Sequence, residues 1–204
     1  AGRPLVLRGI RWRPAGAGPH PALAVLHGSG GCWNDGEPDD LGRRLAARGY
    51  VAFFPCRRGM GLSAGRGEAM QAQLAREGVG GRADPRFATR STALLLETQL
   101  PDVRAAIAAL RAMPGVDGRR VGVTGISYGG ILTLLAAEDD ATLRAAVAFA
   151  PAAMNWGWNA PLRERLLAGA ARTRVPTLVL QAANDFHVGP VEAIPAAIRA
   201  GGGD

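Results

Sequence analysis

The chain has 204 residues, 48% of them hydrophobic, which suits one domain with a packed core. Its formal net charge of +7 rests on 24 basic residues, all arginine, scattered and not interleaved with aromatics, a pattern that speaks against a nucleic-acid platform. No stretch approaches the roughly 18 uncharged apolar residues of a membrane span, and the chain offers no metal-ligand spacing and no sign of an organic cofactor.

In chain order, residues 5–12 alternate weakly and read as a strand. A Pro/Gly-rich turn follows, and then the short apolar run 22–26 of a buried parallel strand. That run ends in His27-Gly28-Ser29-Gly30-Gly31, a loop with almost no side chains. Residues 39–48 read as a helix stopped by Gly49, and 50–55 as a strand. The segment 57–90 is the least regular, with one helical stretch at 69–77, and reads as an excursion over the active-site face. Residues 92–113 carry helical spacing despite Pro101, which either kinks one helix or joins two. Strand 120–124, helix 128–138 and strand 143–150 come next. An insertion, 151–174, holds a short helix at 162–171. Strand 175–181 and helix 191–200 end the series. Strands alternating with helices predict a single α/β domain, 1–204, with a mostly parallel sheet covered on both faces.

Three loops carry chemistry. Gly125-Ile126-Ser127-Tyr128-Gly129-Gly130 follows an apolar strand and opens an apolar helix, the strand–turn–helix setting of a nucleophile elbow. The tight turn strains the serine and leaves room only for glycines beside it. Ser127 is therefore the candidate nucleophile. The glycines of 27–31 let backbone N–H groups approach a developing oxyanion, so Tyr128 is one expected donor and Ser29 or Gly30 the other. His27 is expected to brace this loop from beneath rather than act as base. Asp185, in the loop after strand 175–181, is the candidate triad acid, with helix capping as the alternative. The order Ser then Asp suits an α/β hydrolase.

Pro55-Cys56-Arg57-Arg58-Gly59-Met60-Gly61, the elbow with its tyrosine, and the Asn184-Asp185 loop together resemble the dienelactone hydrolase family and its prolyl-oligopeptidase-type relatives over nearly the whole chain. The resemblance implies an α/β-hydrolase fold and attack on esters, lactones, thioesters or peptides through an acyl-enzyme, with Ser127 as nucleophile and Asp185 as acid. The resemblance implies a cysteine nucleophile in true dienelactone hydrolases, so the serine here is a departure that speaks against a dienelactone as the specific substrate. The resemblance also implies a base histidine on a loop after one further strand. That position falls beyond Asp204, and the expectation is a chain whose natural sequence continues with a last strand and helix. His187, two residues from Asp185, is the lesser candidate for base and otherwise a pocket or surface residue. Two further readings stand beside the esterase: a serine peptidase, and a hydrolase relic that binds without catalysis.

Around these loops, Trp33, Met154, Trp156 and Trp158 either wall an apolar pocket or anchor the insertion. Arg57 and Arg58 either hold a substrate carboxylate or face solvent. Cys32 and Cys56 are expected as free buried thiols, with a disulfide the minority reading. The expected partner is a small acyl substrate, with no nucleic acid and no membrane. The strand from Val175 to Gln181 would lie at the sheet edge, where unpaired backbone groups invite a second copy of the chain.

Overall fold

The computed structural model describes residues 5–32 and 38–204. Strands β1 (Gly9–Trp12), β2 (His20–Leu26), β3 (Val51–Pro55), β4 (Val116–Ile126), β5 (Ala146–Phe149) and β6 (Thr177–Leu180) form one sheet in the order β1-β3-β2-β4-β5-β6. Only β1 runs antiparallel to its neighbour; every other adjacent pair is parallel. Parallel neighbours need crossovers, and helices supply them: α1 (Pro38–Ala47), α2 (Met70–Arg76), α3 (Phe87–Leu94), α4 (Leu100–Arg111), α5 (Tyr128–Asp139), α6 (Ala160–Ala170) and α7 (Gly189–Ala200).

The sheet divides its side chains by alternation. Ala22, Ala24 and Leu26 of β2, Val121 and Val123 of β4, and Ala146 and Ala148 of β5 point to the larger core, where they meet Ile107 and Leu110 of α4 and Leu132 and Leu135 of α5. The many alanines on these strands let the helices approach closely. Val25, Ala52 and Phe54 point the other way, toward Trp12 of β1 and Leu45 of α1. Burying each large aliphatic side chain contributes about 2 kcal/mol. α5 is buried throughout from Gly129 to Ala137, which makes it the central helix.

The long helix expected over 92–113 starts earlier. α3 runs through a π-helical turn, Leu95–Gln99, into α4. Pro101 cannot donate a main-chain hydrogen bond, and the wider π turn just before it is where the helix absorbs that loss. Pro101 therefore marks the join of two pieces. β1 is shorter than the run 5–12 because Leu5 and Val6 are exposed and have no core to enter.

Cys32 and Cys56 correct the expectation of free thiols: they form a disulfide, with Cα atoms 5.3 Å apart. β2 and β3 are parallel neighbours, so the loops that leave their C-terminal ends emerge side by side and bring the two sulfurs together.

Beyond α1, no helix among the described residues covers the same face of the sheet. Ile126, Phe149 and Leu180 are paired across β4, β5 and β6 and are exposed, as is Leu178. At the outer edge, Thr177 N–H donates to the Asp204 carbonyl at 2.9 Å. No helix among the described residues is long and apolar enough to cross a membrane.

Candidate active site

Ser127 sits between β4 and α5 with φ 54° and ψ −113°, a left-handed backbone that a side chain adopts at a cost of order 1–3 kcal/mol. The neighbouring glycines make the turn feasible. A Cβ on Gly125 would stand 2.5 Å from the Gly129 carbonyl oxygen, and one on Gly129 would stand 2.1 Å from that of Leu26. Ser127 N–H donates to the Phe149 carbonyl (2.8 Å), and the Ser127 carbonyl accepts from Ile131 N–H (3.0 Å). The serine is thus clamped between sheet and helix. Two more non-glycine residues with positive φ, Ala150 and Ala152, follow the adjacent strand, so backbone strain gathers at this end of the sheet.

Ser127 opens onto a cleft of about 210 Å³. Ser29 and Tyr128 share its wall, with Phe87, Leu95, Ile131 and Trp158 supplying an apolar lining. Phe87 and Trp158 stack with centroids 5.9 Å apart, and the Arg82 guanidinium lies 4.6 Å over the Trp158 ring. The irregular segment 57–90 crosses the face on which Ser127 lies: Met70, Gln71, Arg82 and Phe87 all reach this cleft. Phe87 and Arg82 carried no motif that would single them out in the sequence. Larger hollows of about 360 and 550 Å³ lie elsewhere, one between β3 and α4 and one at the N-terminal ends of the strands. Neither contains Ser127.

His27 lies beneath the loop after β2 and is 1% exposed. Its Nδ1 meets the Gly28 carbonyl at 2.9 Å, and its Nε2 accepts from Arg57 N–H at 3.3 Å. That pairing assigns the proton to Nδ1. Burial, then the nearby Arg57 charge, pull its pKa down to about 3, so the ring is neutral at working pH. The bracing role expected for His27 matches this geometry.

Arg57 and Arg58 do not line the cleft of Ser127. Arg57 is 3% exposed and donates to the carbonyls of His27 (Nη1, 2.7 Å) and Gly28 (Nη2, 3.0 Å). Its guanidinium also stands 4.8 Å over the Tyr128 ring. Burial lowers its pKa to about 10, which leaves it charged at neutral pH. Burial pushes the Tyr128 phenol up in turn, and its hydroxyl meets Met70 Sδ at 3.3 Å. Arg58 pairs with Asp102 of α4, Nη2 to Oδ1 at 2.6 Å and Nε to Oδ2 at 3.0 Å. The carboxylate that captures Arg58 sits 44 residues later in the chain, which is why neighbouring residues gave no hint of it.

Of the two readings of Trp156, pocket wall or anchor, the anchor matches the structure. It is buried in the main core, and a Cβ on Gly189 would stand 2.3 Å from its Nε1, so it anchors the insertion to the start of α7. Trp158 is the tryptophan on the cleft wall. Trp33 lies outside the described residues. Gly30 does not line the cleft, whereas Ser29 does.

Asp185 follows β6, at the same end of the sheet as Ser127. β5 lies between β4 and β6, so the two loops are separated by two strand spacings, roughly 10 Å. The Asp185 carboxylate accepts from Phe186 N–H (2.8 Å) and from Gln181 Nε2 (3.2 Å). His187 directs Nδ1 at Gly189 N–H (3.0 Å) instead of at Asp185. Among the described residues, no hydrogen bond joins a histidine to Asp185 or to Ser127 Oγ. His20 begins β2, at the opposite end of the sheet.

The profile of the dienelactone hydrolase family matches residues 7–200. The chain belongs to the dienelactone hydrolase family. Solved structures of similar fold include a Klebsiella pneumoniae subsp. pneumoniae protein assigned as a dienelactone hydrolase, at 24% identity and TM-score 0.63, covering 97% of this chain and 76% of that one. A dienelactone hydrolase-like promiscuous phosphotriesterase from metagenomic libraries is 23% identical, with TM-score 0.63 and coverage of 97% and 73%. The acylaminoacyl peptidase of Pyrococcus horikoshii is 16% identical with TM-score 0.68, and this chain spans only 33% of it. At these identities the structures establish the shared α/β-hydrolase fold. No curated protein is a significant sequence match. Membership of the dienelactone hydrolase family makes the chain one of a family of hydrolases, with the elbow, the loop after β2 and the Asp185 loop all at the C-terminal ends of parallel strands.

Proposed function

We propose that the chain is a serine hydrolase that cleaves a carboxylic ester, lactone or thioester through an acyl-enzyme on Ser127. The observation that carries this reading is the strained Ser127 backbone, φ 54°, at the head of a buried helix and on the wall of an apolar cleft. Strain of this kind persists only where the surroundings enforce it, and it gathers where chemistry is done.

In the proposed cycle, Ser127 Oγ bonds to the substrate carbonyl carbon while its proton passes to an imidazole. The oxyanion that forms lies against the N–H groups of Tyr128 and Ser29, neither of which finds a backbone acceptor among the described residues. The carbon–oxygen or carbon–sulfur bond to the leaving group breaks, and the leaving group takes the proton. Water then attacks the acyl-enzyme, the acid departs and Ser127 regains its hydrogen. Asp185 orients the imidazole and stabilises its charged form. That imidazole would occupy the space between Ser127 and Asp185. His27 is committed to bracing, and His187 to Gly189.

Fluorophosphonate labelling and p-nitrophenyl acetate hydrolysis, each with and without added imidazole, test the reading. Labelling confined to Ser127, lost in Ser127→Ala, is the expected result. Because imidazole itself cleaves p-nitrophenyl acetate, turnover is taken above a Ser127→Ala blank at the same imidazole concentration; Ser127-dependent turnover that rises with imidazole would place the base outside the three histidines. Turnover that needs no imidazole and disappears in His187→Ala would make His187 the base. No labelling under any condition would reject the hydrolase reading in favour of a non-catalytic relic.

A further inference from the structure

Arg57 is expensive where it stands. Its guanidinium is buried, and no carboxylate pairs with it among the described residues, because Asp102 is held by Arg58. A buried charge without a counter-charge costs several kcal/mol unless dipoles compensate. Here the compensation comes from two consecutive carbonyls, those of His27 and Gly28. They belong to the loop that runs beside Ser127.

A trans peptide points its C=O and the following N–H in opposite directions. Drawing the His27 and Gly28 carbonyls toward Arg57 therefore turns the N–H groups of Gly28 and Ser29 the other way. Those residues border the nucleophile: a Cβ on Gly28 would stand 3.8 Å from the Ser127 Cβ, and Ser29 shares the cleft with Ser127. The same guanidinium covers the ring of Tyr128, the residue whose amide is the other proposed donor. A cation on the carbonyl end of a peptide also polarises it, which strengthens the N–H as a donor. The Cys32–Cys56 disulfide ties the far end of the loop to the residue just before Arg57.

We infer that Arg57 is a positioning residue for the oxyanion hole, holding its two halves in register from behind and touching no substrate. The inference rests on the serine hydrolase reading above. It gives Arg57 a role that differs from binding a substrate carboxylate: the loss on substitution falls on turnover and not on substrate affinity.

The test compares Arg57→Ala and Arg57→Lys with the wild-type chain, using p-nitrophenyl acetate in the presence of imidazole with the rate of a Ser127→Ala blank at the same imidazole concentration subtracted, after Ser127 labelling has been established for the wild type. A wild-type chain that neither labels nor turns over overturns the underlying reading itself. With an active wild type, Arg57→Ala should lose about 10²–10³-fold in kcat, the scale of one oxyanion donor, with KM changed by less than about threefold and a matching loss of affinity for an alkyl boronic acid. Millimolar guanidinium ion should restore turnover to Arg57→Ala and leave the wild type unaffected. A folded Arg57→Ala with unchanged kcat overturns the inference, as does a folded, inactive variant that guanidinium never restores. If Arg57→Ala does not fold, Arg57→Lys decides: it keeps the charge but lacks the fork that spans two carbonyls. A kcat loss of tenfold or more at unchanged KM and Tm supports the inference, and a wild-type kcat overturns it.

Discussion

Mild acid should destabilise this protein through one residue, His27. An ordinary histidine titrates near pH 6.5, whereas burial and the Arg57 charge hold His27 near 3. The folded state therefore rejects a proton that the unfolded state accepts. The stability tied to this group is whole above about pH 6.5 and declines as the pH falls toward 3. The decline is about 1.4 kcal/mol per pH unit, which amounts to about 2 kcal/mol between pH 6.5 and 5. The full gap is worth at most about 5 kcal/mol. The carboxylates whose pKa values are lowered by arginine partners, Asp40, Glu77, Asp117 and Asp140 among them, hold their stabilising charge throughout this range and begin to lose it only as the pH falls below roughly 4.5. Urea unfolding followed by circular dichroism at half-unit steps from pH 7.5 to 5 reads the slope directly. His27→Asn retains a donor for the Gly28 carbonyl and removes the titration, so its stability should be nearly flat over the same range. A flat wild-type profile, or an equal slope in His27→Asn, would refute the reasoning.

Other substitutions probe the remaining parts of the site. Gly129→Ala should cost more than about 3 kcal/mol, since its Cβ would stand 2.1 Å from a strand carbonyl; a chain with wild-type Tm would show that the elbow is less crowded than described. Asp185→Asn should cut kcat by roughly 10²–10⁴-fold without lowering Tm if it orients the base, and unchanged turnover would reassign it to holding Phe186 and Gln181. Reducing the Cys32–Cys56 bond, which spans 24 residues, should lower stability by about 3 kcal/mol on the chain-entropy account, read as a drop in Tm with and without reductant. Sedimentation over a hundredfold concentration range should detect self-association through the exposed apolar face and the β6 edge; a monomer throughout would mean that this surface does not recruit a second copy.

Much of the fold was legible because local signals agreed with one another. The apolar runs, their glycine stops and the Gly-x-Ser-x-Gly turn all called for the same alternating architecture, and a buried helix after Ser127 could be read from residues 131–137. The site was legible only where a backbone requirement wrote itself into the sequence. Ser127 needs glycines beside it, and the loop after β2 needs their small size. Arg57 and Arg58 are adjacent and chemically identical, yet one is drawn to two carbonyls 29 and 30 residues earlier and the other to a carboxylate 44 residues later. No local pattern distinguishes them. Trp156 and Trp158 pose the same difficulty, since two residues along one turn decide which ring enters the core and which meets the cleft. Cys32 and Cys56 could be placed near each other by strand order, but their bond depends on how closely two loops approach.

The helix that opens at Ser127 has no outer side between Gly129 and Ala137. Most helices would show, in a saturation scan, intolerant positions recurring every three or four residues between tolerant ones. From Gly129 to Ala137 every residue of α5 is buried, so the scan should return an unbroken block in which charged substitutions fail at each position. Improved or altered variants of this protein should therefore arise almost entirely from the cleft walls built by Phe87, Met154 and Trp158, while the segment behind Ser127 stays closed to variation.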